Sequence, residues 1–210
     1  FLDAGIAKIA PAKGDKGIEK AVQTAVNINA TQTSYDFTCG KVNLTLTFTS
    51  PLLMDDLMLL SRPVSYISYK VSANDNASHK VQVYFGASSN VAVNVPSQAV
   101  TTSKYTSGKL SILKAGTVEQ PILKKKGDDL RIDWGYMYVA APSAAHPVQY
   151  VSAPGDAMQA FVKGGAATTK LNKDVVLSTA VDLGTVNSTP KEQLFLLGYD
   201  DLYALQYFGA

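Results

Sequence analysis

A single cysteine, Cys39, leaves the chain without an intramolecular disulfide and without a thiolate metal site. Histidine is nearly as scarce. His79 and His146 fall in turn-like or proline-flanked segments and read as solvated loop residues rather than a ligand pair. A formal charge of +2 is too small to suggest a nucleic-acid partner. The basic run Lys124-Lys125-Lys126 is answered within a few residues by Asp128 and Asp129, as in a solvated turn. No apolar run approaches the ~18 residues that a membrane-spanning helix needs. No leader is legible: the chain opens on Phe1, and its start is read as already removed.

The motifs of nucleophilic, metal-assisted and phosphate chemistry are missing too. There is no Gly-x-Ser-x-Gly elbow, no His-Glu-x-x-His and no glycine-rich phosphate loop. Ser111 and Lys114 match Ser-x-x-Lys in a strand-like run, where an offset of three sends hydroxyl and amine to opposite faces. Ser188 and Lys191 repeat the match in a turn. Cys39, beside Gly40 at a hairpin tip, has no basic neighbour to generate a thiolate. Phe1 offers no amino-terminal nucleophile. No catalytic residue, metal ligand or cofactor is therefore expected.

What is present is β-forming material, with 46% hydrophobic residues to fill a core. Val22, Thr24, Val26 and Ile28 share one strand face. A second strand spans residues 32–38. Residues 42–49 alternate strictly between apolar and polar, so one face is buried and the other wet. Ser50 and Pro51 look like the N-cap and first position of a short helical turn with Leu53, Leu57 and Leu60 on one face, and Pro63 ends it. Further strands are expected at 64–71, 80–85 (Val81, Val83 and Phe85 inward), 91–95, 109–114, 174–183 and 193–199. Residues 156–162 form a brief helix, residues 141–154 a long surface loop, and residues 202–208 a final element. Short strands at regular spacing predict an all-β fold: a large antiparallel β-sandwich with one or two short helical turns, as a single domain over 1–210.

Residues 127–140 form the expected central ribbon. Leu130, Ile132, Trp134, Tyr136 and Tyr138 share one face, and Arg131, Asp133, Gly135, Met137 and Val139 the other. Same-face neighbours on a strand lie roughly 7 Å apart, so Arg131 and Asp133 are placed to form an ion pair over Gly135. The pairs Asp55-Asp56, Asp128-Asp129 and Asp200-Asp201 adjoin hydrophobic elements and read as caps and turns before they read as calcium ligands. The eleven tyrosines outnumber the seven phenylalanines. An apolar ring with a polar tip suits a half-buried strand or interface, and equally a sugar-stacking platform.

An ordered series of motifs adds a resemblance. It runs Ser50-Pro-Leu-Leu-Met-Asp-Asp-Leu-Met-Leu-Leu-Ser-Arg-Pro-Val-Ser-Tyr66, His79-Lys-Val-Gln-Val-Tyr-Phe85, Gly127-Asp-Asp-Leu-Arg-Ile-Asp-Trp-Gly-Tyr136, Leu197-Gly-Tyr-Asp-Asp-Leu-Tyr203 and Gln206-Tyr-Phe-Gly209. From about Thr31 onward it resembles the amino-terminal part of glutaminase A family proteins of fungi and Bacteroides-type bacteria. The resemblance implies a secreted or periplasmic parent that hydrolyses glutamine, with a helical six-hairpin domain following the β-rich one. It makes this chain a fragment lacking that partner. The family pattern places an Asp after Tyr84-Phe85 and a Glu-Trp pair a few residues on; Gly86, Asn90 and Val91 stand there instead. An acidic–aromatic ligand site is thereby lost, and no catalytic residue is carried over.

The leading expectation is thus an accessory β-sandwich, inactive alone, packed against the helical domain of a glutaminase-like hydrolase. Two others stand beside it. One is a glycan-binding module using Trp134 and the tyrosines. The other is half of a composite active site, with glutamine as ligand, to which Arg131 and Asp133, or Asp200 and Asp201, contribute. The interface or ligand candidates are Arg131, Asp133, Trp134, Tyr136, Asp200 and Asp201.

Overall fold

The structure, a computed structural model, describes residues 5–7, 18–128, 131, 133–164 and 172–203. Its strands are β1 (Gly5–Ala7), β2 (Ile18–Lys20), β3 (Val22–Ile28), β4 (Gln32–Cys39), β5 (Val42–Thr49), β6 (Val64–Ala73), β7 (His79–Ser88), β8 (Val100–Ser107), β9 (Leu110–Thr117), β10 (Tyr136–Pro142), β11 (Val148–Ser152), β12 (Val176–Val186) and β13 (Lys191–Asp200). The helices are α1 (Leu57–Leu60) and α2 (Ala157–Val162). An eight-stranded sheet, ordered β3-β4-β5-β6-β13-β10-β9-β8, faces a three-stranded sheet, β11-β12-β7. Strands β1 and β2 form a separate ribbon, and neighbours pair antiparallel throughout. The expected antiparallel sandwich with two short helices is what the chain forms. No helix among the described residues is long and apolar enough to cross a membrane.

Alternation does most of the work. On β9 and β10, Leu113, Ala115, Met137 and Val139 point inward, meeting Ala87 of β7 and Leu177 of β12. Beside them Ile67, Tyr69 and Val71 of β6 and Phe195 of β13 meet Val181, Leu183 and Val186. The Phe195 ring lies 4.8 Å from Tyr69 and 5.4 Å from Phe85, centroid to centroid, so one aromatic stack bridges both layers. Each such large side chain contributes roughly 1.5–3 kcal/mol on burial. Three strands cannot cover eight. Edge strand β3 lies exposed along its whole length, and behind it Ala21, Phe37 and Cys39 form a small separate core.

The sandwich has two unlike ends. One is closed by tight turns, such as Gly40-Lys41 between β4 and β5 and Gly108-Lys109 between β8 and β9, with Gly40 and Gly108 at positive φ. The other gathers the long connections, residues 50–63, 89–99 and 118–135.

Several expectations change. The ladder of the Trp-bearing ribbon begins only at Tyr136; Trp134 and Gly135 lie in a bend, and Asp129, Leu130 and Ile132 are outside the described residues. Helix α1 starts at Leu57, not Pro51, because Asp56 is its N-cap: its carboxylate accepts the Leu59 N–H at 2.9 Å. Residues 91–95 are no strand: 91 and 92 close a 3-10 turn, Ser89–Ala92, capped by Ser88, and 93–95 run on from it without a ladder. The supposed loop 141–154 contains β11, and the 202–208 element lies largely outside the described residues. His79 is not a free loop residue: it opens β7 with Nε2 2.8 Å from the Asp75 carboxylate, whereas His146 is exposed in a turn as expected.

Candidate functional site

All six sequence candidates lie at the long-loop end, where β10 begins and β13 finishes. Tyr136 stands opposite Asp200 in the ladder. Gly135, at φ +110, packs its α-carbon against the backbone of Asp200 and Asp201, leaving no room for a Cβ. The Tyr199 hydroxyl donates to the Trp134 carbonyl at 3.1 Å. Burial, then the charges of Asp201 and Asp133, pushes that phenol up to about 12.

Asp133 is the buried member, only 1% exposed. Its carboxylate accepts from Gln98 at 2.7 Å and pairs with Lys125 at 3.1 Å, while its carbonyl accepts the Thr117 hydroxyl at 2.6 Å. Gln98 in turn accepts the N–H groups of Asn94 and Val95, and Gln120 bonds both backbone groups of Gly135. Loops 89–99 and 118–135 are thus knotted onto one carboxylate. The expected Arg131–Asp133 pair does not form: Arg131 is exposed, its backbone N–H donates to Asn94, and Lys125 takes the place assigned to it. The lysine run is therefore not wholly a solvated turn. Gln98, Gln120 and Lys125 were not legible as site residues, since each meets its partner only through the fold.

Asp200 is exposed, whereas one Asp201 carboxylate oxygen is buried without a hydrogen-bond partner among the described residues. Burial and the neighbouring Asp200 charge raise the Asp201 carboxyl above its usual range. No group of three or more His, Cys, Asp or Glu side chains that could hold a metal occurs among the described residues. Ser111 and Lys114 do part to opposite faces: Ser111 bonds Gln149 at 2.7 Å, and Lys114 lies 3.5 Å over the Tyr136 ring.

Two surfaces adjoin this knot. On the outer face of the large sheet, Tyr138, Ala140, Leu196, Gly198 and Val64 border a groove of about 330 Å³. Around the loop end lie most of the large apolar side chains that remain exposed, including Ile28, Leu52, Leu53, Met54, Leu57, Met58, Val118, Leu202 and Tyr203. Helix α1 buries none of its residues, and Met58 is 72% exposed. All four of its residues are apolar, and Leu57 and Met58 stand in solvent while Leu59 and Leu60 are half-buried.

The domain of unknown function DUF5127 matches residues 31–210, nearly the whole chain. The chain belongs to the DUF5127 family. This overturns the resemblance to glutaminase A. Where they fall on described residues, the motifs behind that resemblance build the connection 50–63 with the start of β6, strand β7, the surroundings of buried Asp133 and the end of β13, all parts of the sandwich itself. No curated protein matches this DUF5127 domain.

Among solved structures it is similar to a chain described as a kojibiose phosphorylase from the human microbiome, at 9% identity, TM-score 0.37, over 80% of this chain and 17% of that one. A mutant of the heparan sulfate lyase HepC from Pedobacter heparinus gives 7% identity and TM-score 0.41 over 87% and 22%. A chain described as an aldose 1-epimerase from Escherichia coli K12 gives 6% identity and TM-score 0.47 over 91% and 75%. The chain thus spans about a fifth of the first two. Likenesses at this level say nothing of activity here.

Proposed function

We propose that this DUF5127 domain is a non-catalytic accessory β-sandwich that packs its long-loop end against a neighbouring domain. The observation that supports it is the apolar surface of residues 50–63, where Leu52, Leu53, Met54, Leu57 and Met58 are all exposed around the uncovered helix α1. Burying five such side chains contributes on the order of 10 kcal/mol. That is comparable with the roughly 4–15 kcal/mol that association of free partners costs, and a tethered partner faces less. At the same end of the sandwich, Asp133 and its partners hold loops 89–99 and 118–135 in one shape. Of the composite-site candidates, Arg131 and Asp200 are exposed towards such a neighbour, and Asp133 is committed beneath Lys125.

Methionine oxidation by dilute peroxide, read residue by residue by mass spectrometry, tests this. Met54 and Met58 should oxidise readily in the 210-residue chain and be protected in the natural gene product, while buried Met137 resists in both. Equal oxidation of Met54 and Met58 in the two forms would overturn the reading.

A further inference from the structure

The edge strands of the two sheets are not equally protected. Edge β8 carries Lys104, whose ammonium reaches the Gln149 carbonyl of edge β11 at 3.2 Å and ties those two edges together across the layers. Edge β7 carries His79 and Lys80. Strand β3, Val22-Gln-Thr-Ala-Val-Asn-Ile28, has neither charge nor proline. It pairs with β4 on one side alone, and all seven of its residues are exposed. A bulge between Gln23 and Ala25, where the Thr24 hydroxyl donates to the Asp36 carbonyl at 3.2 Å, confines its regular part to residues 25–28. Over that part the outward row of N–H and C=O groups fits one kind of partner, an extended strand.

The side chains select which strand. Val26 stands opposite Tyr35 and Ile28 opposite Thr33, on the face that also carries Phe37 and Leu46. Ala25 and Asn27 stand on the other face, opposite Asp36 and Ser34. Turned antiparallel about Asn27, a second copy of β3 sets Val26 against the partner's Ile28, Ile28 against the partner's Val26, and Asn27 against the partner's Asn27. Both apolar pairs then share one face. The amide pair, able to donate and accept in both directions, takes the other. No charge opposes itself. Matched pairs on both faces are what an isologous two-fold contact requires.

We propose that β3 pairs with β3 of a second copy, antiparallel about Asn27, joining the two eight-stranded sheets edge to edge. The contact uses none of residues 50–63 and does not rest on the docking reading. Residues 25–28 are far fewer than the roughly 20–30 a side of a standard interface, so the pair is weak, with a Kd on the order of 0.1 mM. Below about 10 µM the copies are apart and β3 behaves as a free edge.

Sedimentation equilibrium of the 210-residue chain, from about 10 µM to about 1 mM, spans that constant. The mass should rise reversibly from 22.4 kDa towards twice that value. Asn27→Lys and Asn27→Asp each put like charges face to face on the two-fold axis and should stay monomeric, whereas an equimolar mixture of the two should pair at least as tightly as the parent. Asn27 is exposed, so both variants should keep the parent's circular dichroism. A parent chain monomeric at the highest concentration would overturn the proposal. So would variants that associate as the parent does, or a mixture that associates no better than either variant alone. Association abolished by Met58→Lys would assign it to the loop surface instead. In the natural gene product, β3 amides slow to exchange at every concentration would assign the edge to a strand of the same polypeptide. Both outcomes count against a second copy. The peroxide experiment reads Met54 and Met58 and this one reads Asn27, so either proposal can fail alone.

Discussion

Lys125 reaches across its own loop to set its ammonium 3.1 Å from the carboxylate of Asp133, a side chain otherwise shut away from water. The lysine itself is 40% exposed. An exposed ion pair is worth little, but here one partner has no solvent to fall back on, and removing the other leaves a buried charge with Gln98 as its remaining side-chain partner among the described residues.

Lys125→Met should therefore destabilise the chain by about 1–2 kcal/mol, more than an exposed pair and less than a fully buried one. Asp133→Ala, which also orphans the Gln98 amide, should cost about 2–3 kcal/mol. Urea denaturation of the two variants and of the double variant checks this. A double variant whose loss equals the sum of the singles would show that the two groups do not interact.

Gly135→Ala should cost more than the ~1 kcal/mol of an ordinary glycine replacement. The residue sits at φ +110, and a Cβ there meets the carbonyl of Asp200 and the α-carbon of Asp201, which are backbone atoms that cannot step aside. A melting temperature within a degree of the parent would refute the packing described.

Tyr69→Phe should leave stability unchanged or raise it by about 1 kcal/mol. Its hydroxyl is buried without a hydrogen-bond partner among the described residues, and its ring already packs on Phe195. Thermal unfolding of this variant gives the sign directly.

Asp75 answers to pH. A hydrogen bond from His79, then one from the Ala77 N–H, holds its carboxyl at about 2, below the ordinary 3.8. A depressed carboxylate stabilises the fold above its unfolded value and stops doing so as pH falls through the folded one. The Asp75 contribution should thus be complete above about pH 4 and vanish towards pH 2. Carbon-detected titration of its carboxyl should give that midpoint, and Asp75→Asn should flatten the acid limb of the stability curve.

Cys39 should be inert to thiol reagents in the folded chain and react once in denaturant. It is buried at the end of β4, and burial raises its thiol, so the nucleophilic thiolate is scarce.

These residues also show what could be read beforehand. Strand β5 was plain because its two faces meet different media, so Val42, Leu44, Leu46 and Phe48 alternate with polar residues. Strand β8 was missed because it is an edge: Thr101, Thr102 and Ser103 face water and write no period. Strand β11 was taken for loop because Gln149 and Ser152 are buried polar residues, Gln149 being satisfied by Ser111 and Thr179. In the Trp-bearing ribbon the alternation was real from Asp133 to Val139, yet the ladder starts later, since Asp133 and Gly135 are buried by loops rather than by a facing strand. The site candidates were found by type and lay together in space. Their true partners were not, because Gln98 and Gln120 carry no local signal.

The inequality of the two layers has a consequence for how the molecule opens. Strands β3 and β4 lie beyond the reach of the smaller sheet and are tied on mainly by their ladder to β5. That wing forms from consecutive hairpins and can peel away without disturbing the Phe195 stack. Its amide hydrogens should exchange with deuterium well ahead of those on β9, β10 and β12, making it a separate cooperative unit that folds back on its own.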